Sequence, residues 1–153
     1  MRERLFFYVV LVLLVTSCAE TKYVPDGEYL LDRADLRCDE PARYISLSDM
    51  RSFIRQQGNS RWFSTAKLPL KTYSLSGRDT TKWINRMLRN MGEPPELYDS
   101  IQTLQSLQSL QTQMQNLGYL RATADVAIQK KGKKLRTLYT LHPGVPYFLR
   151  SVI

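Results

Sequence analysis

Leu5–Val15 (LFFYVVLVLLV) is an unbroken apolar run of 11 residues, and its length decides what the remaining chain is left to build. A membrane-spanning helix needs about 20 such residues. The run is too short for that and has the length of the apolar core of an export signal. Arg2, Arg4 and the amino terminus place positive charge ahead of it, and Val15-Thr16-Ser17-Cys18 follows at once. A branched apolar residue, two small residues and a cysteine suit a peptidase that cuts before Cys18 and a thiol that accepts a diacylglyceryl group. Two readings stand: a lipoprotein signal with Cys18 lipidated, and an ordinary signal peptide with a cysteine beyond it. The agreement of all three parts favours the first.

Cleavage there removes 17 of 153 residues and leaves a mature chain of 136, whose formal charge falls from +8 to +7. Lipidation consumes one of the two cysteines, so the exported chain has no partner with which Cys38 could form a disulfide. Cys38 is expected as a small core residue, with no neighbour in sequence that would activate it. A single histidine excludes a multi-histidine metal site, and two cysteines exclude a zinc-finger framework.

Along the mature chain, residues 19–27 (AETKYVPDG) form a short tether ending in a Pro-Asp-Gly turn signal. Residues 28–38 place Leu30, Ala34, Leu36 and Cys38 on one parity and predict a strand. Ser46 to Asp49 resembles a capping box, and Met50, Phe53 and Ile54 follow at helical spacing until Gly58, predicting a helix of about 11–12 residues. Residues 59–78 read as irregular, with Trp62, Phe63 and Tyr73 interspersed. Asp79-Thr80 then caps a second helix, in which Trp83, Ile84, Met87, Leu88 and Met91 form an apolar stripe opposite Lys82, Arg86 and Arg89. Such a stripe is more often core than a ligand surface.

Asp99 caps the longest predicted helix, with Gln102 completing the box and Gly118 ending it. Its apolar residues are Ile101, Leu104, Leu107, Leu110, Met114 and Leu117. Three-residue spacing slips backwards by about 60° per step on a helix, so this stripe is skewed and is no heptad. Ala122, Ala124, Val126 and Ile128 then alternate with Thr123, Asp125, Ala127 and Gln129. Lys130-Lys131-Gly132-Lys133-Lys134 turns the chain, and Leu135, Thr137, Tyr139 and Leu141 return it as the second strand of a hairpin. After His142-Pro143-Gly144, residues 147–153 begin a further strand-like run. The fold class is α+β: a β-α-α-β-β module with an inserted helix, its three-stranded sheet covered by helices on one face.

"NLGYLRATADV" and "LHPGVPYFLRSVI" resemble the end of a POTRA module, in which a helix ends in Gly-Tyr, a hairpin follows, and a Pro-Gly turn leads to the next repeat. "CAETKYVPDGEYLL" and "RNMGEPPELYD" are similar to the lipoprotein TamA-like (TamL) branch of the BamA/TamA superfamily of outer-membrane assembly proteins, found in Bacteroidetes. The resemblance covers essentially the whole mature chain. It implies a signal peptide at 1–17, a lipidated tether at 18–27, a POTRA-like module at 28–146 with an insert at about 59–97, and the truncated start of a second module at 147–153. Family members continue through further modules into a membrane β-barrel, for which this chain has no room. An amino-terminal fragment or a prematurely ended reading frame is therefore expected.

The same resemblance implies an outer-membrane, lipid-anchored, mainly periplasm-facing chain. Its expected partners are nascent or unfolded outer-membrane proteins and assembly-complex subunits, and the membrane through Cys18. POTRA modules are scaffolds that bind by β-augmentation, in which an edge strand offers unpaired backbone groups to an extended chain. If Leu135–Leu141 is central, the strand of Ala122, Thr123, Ala124, Asp125, Val126, Ala127 and Ile128 is the candidate binding edge. Its alanines either admit a close strand or merely fit beneath helices. The lysines of the turn are either solvated or touch acidic headgroups. Export removes nucleic acid from consideration. His142 has no acid or cysteine partner at a recognisable spacing, and Asp32, Asp35 and Asp39 are scattered, so neither enzyme activity nor a cofactor is expected. The reading set against the assembly module is a freestanding lipoprotein that bridges envelope proteins.

Overall fold

The structure, a computed structural model, describes residues 20–59, 68–77, 79 and 81–148. The signal segment, Cys18, Trp62, Phe63 and the end of the 147–153 run lie outside them. Seven elements follow in order: β1 (Leu30–Cys38), α1 (Leu47–Arg51), α2 (Leu68–Leu75), α3 (Trp83–Met91), α4 (Ser100–Asn116), β2 (Thr123–Lys131) and β3 (Lys134–His142). They divide into two compact units. One takes its described residues from 20–28 and 59–95, the other from 29–58 and 96–148.

The second unit holds the sheet, in the order β1-β3-β2. The last strand made is thus the central one, parallel to β1 and antiparallel to β2. The register slips between Leu31 and Arg33, so that Asp32 is an extra residue in β1. This bulge explains a departure from the expected parity. Leu31 sits opposite Leu135 and Ala34 opposite Thr137, so Leu31 rather than Leu30 shares the face of Ala34. Leu30 is buried as well. Asp32, buried, accepts a hydrogen bond from Arg136 Nε at 2.7 Å.

Ala34, Leu36, Met50, Ile54, Leu110, Met114, Tyr119, Ala122, Tyr139 and Leu141 form the core between one sheet face and the helices α1 and α4. Ser46 caps α1 by accepting from the Asp49 N–H. The helix is five residues long rather than the expected 11–12. Beyond Arg51 the amides of Ser52, Phe53 and Ile54 bond three residues back, and the Arg55 amide leaves the ladder to bond Ser106 Oγ at 3.0 Å. Buried Gln56 then reaches α4: its Oε1 accepts from the Asp99 amide at 3.0 Å, and its Nε2 donates to Glu96 Oε1 and the Leu97 carbonyl.

Asp99 caps α4 through the amides of Ile101 and Gln102. The reciprocal bond to the Asp99 amide, expected from Gln102, comes from Gln56. The skew of the leucine stripe has a visible effect: Ile101 and Leu104 are 64% and 60% exposed, and Thr103 and Ser106 take the buried face ahead of Leu110 and Met114. At the other end the Tyr119 amide bonds Met114 O and the Gly118 amide bonds Gln115 O. This is a Schellman termination, and Gly118 adopts the left-handed φ of +93° that it requires. The hairpin turns on Gly132 and Lys133 alone, with Lys131 paired to Lys134.

Thr137 is 2% exposed on the core face of β3, and among the described residues its hydroxyl has no hydrogen-bond partner. Valine has the same shape and strand preference without the stranded hydroxyl. Thr137→Val is expected to raise unfolding free energy by about 1 kcal/mol, seen as a higher urea midpoint.

The other unit corrects two expectations. Residues 68–75, within a stretch read as irregular, form α2, with Pro69 in its first turn where a missing N–H costs least. In α3 the apolar stripe is not core. Trp83, Ile84, Met87 and Met91 are exposed and Asn85 is buried. The helix is held through its polar side: Asn85 accepts from the Gly77 amide at 2.9 Å and donates to the Asp79 carbonyl at 2.7 Å. Arg89 donates to Ser76 Oγ and to the Gly77 carbonyl. Asp79 is not the N-cap. It binds the Thr81 amide and hydroxyl in the approach to the helix, and Lys82 occupies the cap without a side-chain bond.

Candidate interaction edge of the sheet

β2 is an edge strand because β3 takes the central place between it and β1. Alternation sorts its side chains. Ala122, just before the strand, is buried in the core, and Ala124 and Val126 are half-buried against it. Thr123, Asp125 and Ala127 are exposed on the opposite face, and Ile128 is exposed where the strand runs past the helices. The alanines therefore divide: Ala122 packs beneath the helices, and Ala127 leaves a low, open surface.

The two edges of the sheet differ in availability. On β1 the Leu31 amide donates to Glu96 O at 2.7 Å, and Tyr29 O accepts from the Tyr98 amide at 2.8 Å. Farther along, Arg51 donates to the Ala34 carbonyl. The 96–98 segment thus covers the start of the first edge. Among the described residues, β3 alone bonds the backbone of β2. Asp125, Lys130 and Lys131 put charges along this open edge, which discourages indiscriminate pairing with hydrophobic strands.

His142 overturns an expectation. Its Nδ1 lies 3.2 Å from Asp39 Oδ2 and its Nε2 lies 3.2 Å from Asp125 Oδ2. Side chains from β2, from β3 and from the residue just after β1 thereby meet at one end of the sheet, the end opposite the lysine turn. Both ring nitrogens donate together only in the imidazolium form. The cluster joins the start of the edge strand to its neighbours. The pairing signal was in the sequence: a two-residue turn at Gly132-Lys133 sets Thr123 opposite His142 and brings Asp125 to the adjoining diagonal. The two aspartates of β1 have their own partners, Asp35 with Arg33 at 3.8 Å and Asp32 with Arg136.

Cys38 is half-buried beside the core, and its Sγ donates to the Glu40 carbonyl. Burial pushes this thiol above its ordinary pKa, and the charges of Asp39 and Glu40 add to the rise. A nucleophile needs the opposite shift. At the lysine turn, Asp32, Gln129, Lys130, Lys131, Lys134 and Arg136 line a concavity of about 340 Å³. Lys130 lies over the Tyr29 ring there, 4.6 Å from its centroid.

Among the described residues there is no group of three or more metal-ligating side chains, and no helix long and apolar enough to cross a membrane. The chain matches no protein-family model, no curated protein and no solved structure.

Proposed function

We propose that this chain is a lipid-anchored, POTRA-like binding module of an outer-membrane protein assembly factor. It faces the periplasm, is tethered through Cys18, and takes extended segments of unfolded clients or of partner subunits onto β2. The observation that carries this reading is the asymmetry of the sheet: the start of the β1 edge is covered, and among the described residues nothing bonds the outer edge of β2. The β-α-α-β-β order, the Gly118-Tyr119 helix ending and the hairpin after it agree with the module that the sequence resembles.

The energetics suit a transient holder. A nine-residue edge strand turns about four residues outward. Each outward residue offers both its N–H and its C=O, so at about 0.5–1.5 kcal/mol net per hydrogen bond a paired client gains about 4–12 kcal/mol, from which ordering of the extended client subtracts several kcal/mol. That corresponds to weak, reversible binding. The client is released as readily as it is held, and binding rather than catalysis is the activity.

The test places a photo-crosslinking residue at Thr123 or Ala127 of the intact protein, with Arg33 on β1 as the control. Adducts with a urea-unfolded porin are expected from the β2 positions and not from Arg33. Equal labelling from all three, or none from any, would refute pairing at this edge.

A further inference from the structure

The helix α3 is inside out. At 100° per residue, Trp83, Met87, Met91 and Ile84 fall within an arc of about 100°. All four are exposed, Trp83 at 72% and Met91 at 68%. The opposite side, with Asn85 and Arg89, is hydrogen-bonded into the unit. Single exposed apolar residues are ordinary, but four large ones sharing one helical face mark a contact surface. We infer that this face docks on the surface of the bilayer that holds the lipid anchor, with its apolar arc at the boundary of acyl chains and headgroups and its cations on anionic lipid headgroups.

Two further observations select a membrane as the occupant. The first is reach. Lys22 Nζ bonds the carbonyls of Ser74 and Ser76, the Tyr23 hydroxyl bonds Ser76 O, and Val24 is buried. Tyr23 also packs edge-on against Tyr73, and Arg89 lies over both rings. The chain is thus fastened to this helical unit four residues after Cys18, a span of at most about 14 Å. A nine-residue helix binds membranes weakly by itself, but an anchor at that distance presents it at a high effective concentration. The second is charge. Residues 68–92 contain five Lys/Arg against one Asp. Lys82 and Arg86 are exposed. A tryptophan-bearing apolar face flanked by cations is the pattern of an interfacial helix.

This inference rests on the lipid-anchor reading of Cys18, and the test separates the two. The full chain is purified from the producing cells, and its intact mass reports lipid on Cys18. It is then mixed with vesicles of phosphatidylethanolamine and phosphatidylglycerol, three to one, carrying brominated acyl chains. The Trp83 signal is the quenched emission that Trp83→Phe removes. Strong quenching is expected, falling several-fold in Met87→Asp/Met91→Asp, whose exposed positions leave the unit's internal bonds intact. Unquenched Trp83 on a lipidated chain overturns the docking and leaves the anchor standing. Quenched Trp83 on an unlipidated chain overturns the anchor and leaves the docking standing, and if both signals are absent both fall. Emission that is blue-shifted yet unquenched, the mark of a second copy or a protein partner on this face, also overturns the docking.

Discussion

Leu110→Ala is expected to destabilise the sheet-bearing unit by about 2.5–5 kcal/mol. Leu110 is fully buried on α4 and packs in the cluster of Met50, Ile54, Met114, Tyr139 and Leu141. Removing its branched end loses the transfer energy of the missing atoms and leaves a void that this mixed packing fills only in part. Against a total of about 5–15 kcal/mol for an ordinary domain, this is enough to populate the unfolded state at moderate urea. The matched control is Leu104→Ala, the same change six residues earlier on the same helix. Leu104 is exposed, so its loss is expected to shift stability by no more than about 0.5 kcal/mol. Paired urea titrations followed by circular dichroism check both values. Similar costs at the two positions would mean that the leucine stripe is not skewed as described.

Gly58→Ala is expected to be nearly as severe for a different reason. A Cβ on Gly58 would lie 2.5 Å from Asp32 O, 2.8 Å from Asp32 C and 2.9 Å from Leu31 O. All three are backbone atoms of β1 at its bulge, and none can swing aside as a side chain does. Relief requires the 52–58 segment to lift from the strand, which strains the Arg55–Ser106 bond and the three Gln56 bonds to residues 96–99. Overpacking of this kind costs about 1–3 kcal/mol, and more when several hydrogen bonds go with it. Hydrogen exchange gives a local reading: the Arg55 and Asp99 amides are expected to lose protection before the β2–β3 ladder does. Unchanged protection at both would show that the contact is relieved elsewhere.

Much of this fold was readable because its signals are local. The Asp99 cap, the Gly118 ending and the hairpin around Gly132 each follow from residues within a few positions of one another. Gly58 was read as a helix terminator, and the structure gives it another duty, the close approach to Asp32. What escaped depends on residues far apart. The early end of α1 is explained by Ser106 and Gln56, which tie residues 52–58 to α4. The His142 cluster needs all three strands in register. Amphipathic spacing shows that α3 has two faces, but the spacing is the same whichever face turns inward. Asn85, at the centre of the polar face, was the residue whose bonds to Gly77 and Asp79 decided it.

The candidate edge was legible in its residues and conditional in its placement. Thr123 to Ile128 alternate clearly, but only the pairing of β3 with β1 makes β2 an outer strand. Ala122 and Ala127 show how little side-chain type alone resolves, since one is core and the other surface.

The strand order has a consequence for how the protein comes into being. Synthesis proceeds from the amino terminus, so β1 emerges long before its parallel partner. Leu30 waits for Lys134, and the sheet has no centre until β3 has been made. Contacts across so long a separation form slowly, since the chain closes a large loop before any bond rewards it. The contacts of Lys22 and Tyr23 with Ser74 and Ser76 span about half that distance and become available earlier. The emerging chain therefore organises the helical unit near its amino terminus first, while β1 remains an unpaired strand in need of shelter.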